Sequence, residues 1–339
     1  MDLTYLHGKP LAAALIKQQP EDFAVTETLS FTPEGQGCHV YLFIKKVNLN
    51  THCVVDLLSR FAHVHPKDIG FAGRKDKHAV TKQWFSVSVN ATQVINWADF
   101  KHENVEILHI TKHNKKLKIG SIKSNYFELL VRDISDLDDF KSRCKLVGEQ
   151  GFPNYFGEQR FGFEGKNLDK AKSFFDGYIK PSATKKKLYI SSARSALYNY
   201  TLCNRLKLYK NNPVAGDVAI LAGTNSFFAV EEWTQDLLDR LEAKDISISS
   251  ALWGDGEPLS SLAVREMESK VAESHAWITS GLQKFNLQQD RRLSFCFPVD
   301  FVFKVDDLKQ QAVLSFSLSK GCFATSLLRE VVNFSIIKE

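Results

Sequence analysis

Residues 70–89 read GFAGRKDKHAVTKQWFSVSV. Two glycines, Gly70 and Gly73, precede a single carboxylate, Asp76, which stands between Lys75 and Lys77 with Arg74 beside them. Phe85, Val87 and Val89 then alternate with Trp84, Ser86 and Ser88, the period of a strand with two distinct faces. A charged loop is thus delivered onto the start of a sheet strand. Neighbouring positive charge favours the ionised form of a carboxylate. An ionised carboxylate so placed can act as a base, a nucleophile or a metal ligand. On charge pattern alone, a solvated, charge-balanced turn fits the loop better.

The flanking sequence supplies a framework for this loop. FAVTE (residues 23–27) and HVYLFIKK (residues 39–46) have the strand period, with Val40, Leu42 and Ile44 on one side. Val54, Leu58 and Phe61 mark a helix that Asn50 or Thr51 can cap and Pro66 stops. After the loop, VEILHI (residues 105–110) is a strand, followed by the cationic run KHNKKLK (residues 112–118). That run, which includes Lys115 and Lys116, suits a solvated hairpin tip or contact with RNA phosphates. IKSNYFELLVRDI (residues 122–134) alternates again; the amide of its Asn125 offers both a donor and an acceptor to the edge of a base. Leu137, Phe140, Cys144 and Val147 follow at helical spacing.

Residues 151–162, GFPNYFGEQRFG, interleave aromatics with Gly, Asn, Gln and Arg160. Such side chains stack on bases or line a core turn. Helical patterns dominate beyond: three lysines at 185–187, then a helix starting near Ser191 or Ser192, with further helices expected over 234–241 and 261–277. Two short strands are expected within residues 215–230. Strand alternation returns with Leu293, Phe295 and Phe297, and again with Ala312, Leu314, Phe316 and Leu318. GCFATSLLREVVNF (residues 321–334) closes the chain as a strand end, a loop and a helix.

The loop string resembles the signature of the TruD family of tRNA pseudouridine synthases, close to FAG-x-KD-[KR]-x-A-x-T-x-Q. Phe71, Ala72, Gly73, Lys75, Asp76, Lys77, Ala79, Thr81 and Gln83 fit it. KQQPEDFAVTE (residues 17–27), the N-x-F at Asn125, GFPNYFGEQRFG and the closing FATS resemble further family stretches in the same order, so the likeness spans nearly the whole chain. It implies an α+β fold: a pseudouridine-synthase-like catalytic domain with a mixed, mainly antiparallel sheet flanked by helices, interrupted by an inserted α/β TRUD domain. The implied boundaries are 1–150 and 298–339 for the catalytic domain and 151–297 for the insertion. The resemblance implies Asp76 as nucleophile, Lys17 as its basic partner, and Phe23, Asn125 and Phe323 as substrate-binding residues. It further implies isomerisation of uridine-13 in tRNA, notably tRNA-Glu. Arg74, Lys75, Lys77, Lys115, Lys116 and Arg160 are candidate RNA contacts.

Composition bounds the alternatives. The chain has 339 residues, 44% hydrophobic, enough for one large or two ordinary domains. The net charge of +5 permits an anionic partner without demanding one. No apolar run is long enough to cross a bilayer, and the N-terminus lacks a basic segment followed by a cleavage site; a cytoplasmic monomer with no membrane association and no obligate protein partner is expected. The six cysteines include no CxxC pair, which removes support for zinc-ribbon and thioredoxin readings. His109 and His113 lack a third ligand at convincing spacing. There is no phosphate-binding loop of the Walker kind and no dinucleotide fingerprint. No metal or cofactor is therefore expected. Two rivals stand beside the synthase reading. One is a catalytically silent tRNA-binding or RNA-chaperone protein on the same fold. The other is a different base-directed enzyme: a nucleobase methyltransferase, which calls for a Gly-rich cofactor loop after a first strand that the sequence lacks, or a glycosidase, which needs a second acid across the bond, for which Glu21, Asp22 and Glu27 are available.

Overall fold

In the computed structural model, which describes residues 2–89, 94–224 and 226–336, the alternation seen in the sequence becomes a long mixed sheet. In chain order its first part runs β1 (Ala13–Ile16), β2 (Phe23–Leu29), β3 (His39–Val47), helix α1 (Thr51–Ala62), β4 (Ile69–Phe71), β5 (Val80–Ser88), β6 (Val105–His113), β7 (Ile122–Arg132) and helix α2 (Leu137–Gln150). There follow β8 (Phe152–Pro153), α3 (Lys166–Phe175), α4 (Ala183–Tyr209), β9 (Asp217–Leu221), β10 (Phe227–Val230), α5 (Gln235–Glu242), β11 (Ile246–Leu252), α6 (Leu262–Ser274), α7 (Ala276–Gln283), β12 (Asp290–Leu293) and β13 (Phe295–Cys296). The chain closes with β14 (Val299–Asp306), β15 (Gln311–Ser319), α8 (Ala324–Val331) and β16 (Asn333–Ile336).

Contacts divide the chain into two units. One comprises Pro10–Gly148, Pro298–Ala324 and Val331–Glu339; the other comprises Met1–Lys9, Glu149–Phe297 and Thr325–Glu330. The first unit carries the large sheet, in the order β14-β15-β7-β2-β5-β3-β6, with β1 paired to β7 and β16, and β4 paired to β5. Pairing is antiparallel except between β2 and β5 and between β1 and β16.

Register places one set of alternating side chains on a common face. Lys46 lies opposite Thr81, Ile44 opposite Gln83, Val25 opposite Thr81, Phe23 opposite Leu129, and Glu27 opposite Asn125, which in turn faces Leu318. Directly opposed residues in a ladder point to the same side, so Lys46, Thr81, Gln83, Phe23, Glu27 and Asn125 share that face. Over the β3–β5 part of it packs α1, whose Val54 and Leu58 are fully buried against Leu42, Ile44 and Phe85. Each such side chain contributes about 1.5–3 kcal/mol by leaving water. Gly70 is needed on β4 because a Cβ there would sit 2.3 Å from the carbonyl oxygen of Leu117. The resulting close approach seats the 114–121 turn beside the sheet.

The second unit has a four-stranded sheet, β10-β9-β11-β12, antiparallel throughout, with helices α3 to α7. Here the sequence patterns and the structure differ in detail. Helix α4 begins at Ala183, so the lysines at 185–187 form its first turns and do not precede it. The 261–277 segment divides into α6 and α7 at His275, whose backbone leaves the helical region at φ −122° and ψ 40°. Strand β11, ISISSAL, is buried on both sides and lacks polar alternation, which is why it escaped the pattern. Among the described residues no helix is long and apolar enough to span a membrane.

Candidate active site

The loop between β4 and β5 carries Asp76 over the shared sheet face. Its position is held at several points. Lys75 donates its backbone N–H to Thr51 Oγ1 at 3.0 Å, Thr51 donates to Gln83 Oε1 at 3.1 Å, and Gln83 Nε2 donates back to the Gly73 carbonyl at 3.2 Å. The Lys75 ammonium is inside, paired with Glu27, whose other oxygen accepts the Trp84 N–H at 3.1 Å. Both side chains of this pair are almost fully enclosed. Lys75, expected among the RNA contacts, instead braces the loop from beneath. The motif positions Lys75, Thr81 and Gln83 thus lie on the face that supports the loop.

Lys46 completes the support. It is fully buried, and its ammonium donates to the backbone carbonyls of Asp76 at 2.8 Å and Leu49 at 2.6 Å. Burial pushes its pKa down to about 8; Asp76 opposes that shift and Lys75 adds to it. The sequence reading passed over this residue, although it continues the buried series Val40, Leu42, Ile44 on β3. A lysine at the next core-facing position is the signal that was available.

Asp76 itself is half-open. Its Oδ2 accepts from Lys17 Nζ at 2.6 Å, with the lysine side chain 6% exposed and the aspartate 35%. Lys17 follows β1 with φ +56°, in the left-handed region that non-glycine residues enter at a cost of about 1–2 kcal/mol. The same ammonium lies 3.9 Å from the ring centroid of Phe23, a cation–π contact that fixes it from a second side. Phe23 is buried and packs edge-on against Phe127, with centroids 6.1 Å apart. Nucleophile candidate, basic partner and aromatic wall are therefore in direct succession.

On the same face, the Asn125 side-chain oxygen is buried and has no hydrogen-bond partner, and the Thr81 hydroxyl is buried and unpartnered as well. An orphaned buried acceptor costs about 1–3 kcal/mol, and such atoms are found where a ligand completes the bonding. Phe323 lies half-buried on the loop from β15 into α8, beyond the strand end where Leu318 opposes Asn125. Arg74, Lys77 and Lys115 are exposed, while Lys116 donates its ammonium to the Lys67 carbonyl. Arg160 belongs to the other unit; it donates to Ser191 Oγ at 3.0 Å and lies 5.2 Å from the Phe156 ring.

Two of the acids open to a glycosidase reading are consumed by the fold. Asp22, 1% exposed, accepts three hydrogen bonds from Arg132, the shortest 2.7 Å. Glu27 is closed by Lys75 and Trp84. Glu21 is exposed.

Comparison with known proteins bears on the whole chain. The family model of tRNA pseudouridine synthase D (TruD) matches residues 3–171 and 166–331. The tRNA pseudouridine synthase D of Shewanella oneidensis is 39% identical over 338 residues, covering 100% of this chain and 91% of that protein. That of Colwellia psychrerythraea is 38% identical over 98% of this chain and 94% of its own length. A TruD crystal structure from Methanosarcina mazei, at 22% identity, shares the fold with a TM-score of 0.69 over 98% of this chain and 95% of its own. With the loop string, the shared sheet face and these likenesses in agreement, the chain belongs to the TruD family of tRNA pseudouridine synthases.

Proposed function

We propose that this chain converts uridine-13 of tRNA, notably tRNA-Glu, to pseudouridine, with Asp76 as the nucleophile. The observation that carries the reading is the single exposed edge of the Asp76 carboxylate, anchored on Lys17 at 2.6 Å, on a sheet face that also holds Phe23 and the unpartnered Asn125 oxygen. The reaction breaks the bond between N1 of uracil and the sugar carbon, turns the base, joins C5 to that carbon and releases the C5 proton to solvent while N1 gains one. It is an isomerisation, balanced without any external electron or group donor.

The target nucleotide leaves its stack to reach the carboxylate. Phe23 and Phe323 wall the extruded base, and Asn125 bonds its polar edge. Stacking on an aromatic is worth about 1–3 kcal/mol per base, enough to offset part of the extrusion. Asp76 supplies negative charge either by attack on the sugar or the base, or by stabilising a cationic sugar. Lys17 holds the carboxylate in place through its 2.6 Å hydrogen bond. Lys46, bonded to the Asp76 carbonyl, is a positioning residue. The unit of Pro10–Gly148, Pro298–Ala324 and Val331–Glu339 is the catalytic domain, and the unit holding residues 149–297 is the insertion that grips tRNA; Met1–Lys9 and Thr325–Glu330, expected from sequence in the catalytic domain, cluster with the insertion. Arg74, Lys77 and Lys115 contact phosphates. The protein acts in the cytoplasm as a monomer.

Tritium release from C5-labelled uridine in bulk tRNA tests the proposal. Wild type releases tritium and Asp76→Asn does not. Absence of release by wild type from any tRNA overturns the reading in favour of a binder; free uracil overturns it in favour of a glycosidase.

A further inference from the structure

In the unit that holds residues 149–297, a cavity of about 530 Å³ opens beside the first turns of α4. That volume falls in the range of sites for small organic ligands, roughly 300–1,000 Å³. Its charge is one-sided: Arg160, Lys186, Lys187 and Arg194 line it, and among the described residues no carboxylate does. Phe156 and Phe285 supply aromatic walls.

The two arginines are only partly solvated, and their hydrogen bonds go to neutral groups. Arg160 donates to Ser191 Oγ. Arg194 donates to the carbonyls of Trp253 at 2.8 Å, Leu252 at 2.8 Å and Gln288 at 2.6 Å. Burial pushes both pKa values down, with Asp290 opposing the shift at Arg194. Half-buried cations without a lining carboxylate are costly, and an anion that enters the cavity offsets the cost. The helix explains the spacing: Lys187, Ser191 and Arg194 recur at i, i+4 and i+7 and share one side of α4.

Phe285 adds a second recognition element. One side of its ring stacks on Phe174, centroids 5.4 Å apart and planes 16° apart. The ammonium of Lys186, an exposed and flexible side chain, lies 4.7 Å from its centroid. A planar base can take the place of that ammonium on the ring at little cost, since a surface lysine returns to water.

Resting on the tRNA reading above, we infer that this cavity holds one unstacked nucleotide of the RNA other than the reacting uridine, with its phosphate on Arg160 and Lys187 and its base against Phe285. The insertion then reads RNA shape by requiring a nucleotide free to leave its stack at a second point. Phosphate contacts position the RNA, and the aromatic accepts any base.

The test binds unmodified tRNA to wild type, Lys187→Glu, Phe285→Leu and Lys170→Glu across a salt series, with pseudouridine formation followed in parallel. Lys170 is exposed on α3 and outside the cavity, so its variant matches the charge change alone. Lys187→Glu weakens binding about tenfold at low salt and flattens the salt slope by about one unit relative to Lys170→Glu. Phe285→Leu weakens binding about tenfold at all salt concentrations. Both raise KM and leave kcat within about twofold. The inference is overturned if Lys187→Glu matches Lys170→Glu, if Phe285→Leu binds like wild type, or if uridine 5′-monophosphate alone binds as tightly as tRNA. Binding is read without turnover, so a wild type that binds tRNA but forms no pseudouridine defeats the functional reading and leaves this one standing.

Discussion

Glu268 and Asp76 are both carboxylates paired with a cation, and they are treated in opposite ways. Glu268, in the unit holding residues 149–297, is 1% exposed and closed on every side: Arg291 at 2.9 Å and Ser260 at 2.6 Å bond one oxygen, and the Ala251 N–H at 3.0 Å bonds the other. Asp217 is closed in the same manner by Arg205 and the Val214 N–H. Asp76, in the other unit, receives one side-chain partner on one oxygen and keeps an exposed edge. A carboxylate with both oxygens bonded and shut away from water can only hold structure together. One held by a single ammonium keeps bonding capacity for a reacting atom. The Lys75–Glu27 pair beneath the loop is of the closed kind, so the open carboxylate is set on an enclosed one.

The sharpest way to break the contrast is to neutralise each acid with its isosteric amide. Asp76→Asn is expected to lower pseudouridine formation by at least about 10⁴-fold while tRNA affinity stays within about twofold. The amide keeps the volume and removes only the charge. Single-turnover assays and filter binding on the same preparation check this, and retention of more than a tenth of the activity breaks the assignment. Thermal stability should fall too, but by less than for a fully enclosed pair, because the Lys17 ammonium, 6% exposed, loses its counter-charge while keeping an amide oxygen and the Phe23 ring beside it.

Glu268→Gln is expected to do the reverse. It leaves the Arg291 guanidinium buried with no counter-charge, a loss of about 3–5 kcal/mol. Urea unfolding should show the midpoint falling, and specific activity per folded molecule should be unchanged. A variant as stable as wild type would mean that the closed pair is not structural.

Asn125→Ala probes the same distinction from the neutral side. Its oxygen is buried without a partner, so its removal costs the fold nothing and relieves an unmet acceptor. Catalytic efficiency should drop about 10- to 100-fold, the worth of one or two hydrogen bonds to substrate. A loss of stability without a loss of activity would assign Asn125 to the scaffold.

Much of this division was legible before any coordinates. Period-two alternation placed β2, β3, β5, β7 and β15, because each has one buried face and one wetter face. β11 was not legible, since ISISSAL is covered on both sides and serine interrupts its apolar run. The start of α4 was misplaced because residues 182–188 are all exposed, so no buried position marks its first turns and three successive lysines read as a loop. At the candidate site, the resemblance pointed to Asp76, Lys17, Phe23, Asn125 and Phe323, of which the structure joins Asp76, Lys17 and Phe23 by direct contact. What charge pattern could not give is the direction of each lysine. Lys75 and Lys77 flank Asp76 symmetrically in sequence, yet one is buried on Glu27 and the other exposed. The parity of Lys46 with Ile44 pointed inward, a cue carried by the strand alone.

Lys46 gives the smallest expected effect and the finest distinction between holding and reacting. Burial has pushed its pKa to about 8 from 10.5. Between those values the unfolded chain binds more protons than the folded one, so stability rises with pH across that window. Below about pH 8 both states carry the charge, and the full cost of burying it is present. Deprotonation does not cut the tether to the loop: a neutral amine has two N–H groups, and the ammonium uses only two acceptors, the carbonyls of Leu49 and Asp76. The unfolding free energy of wild type should therefore gain on that of Lys46→Met as pH is raised from about 8 to 10.5, by roughly 1–2 kcal/mol once solvent screening is allowed for. Single-turnover activity of wild type should show no step at pH 8. A step there would mean that the charge on Lys46, and not its hydrogen bonds, holds Asp76 in register, and would move this residue from the closed class into the reacting one.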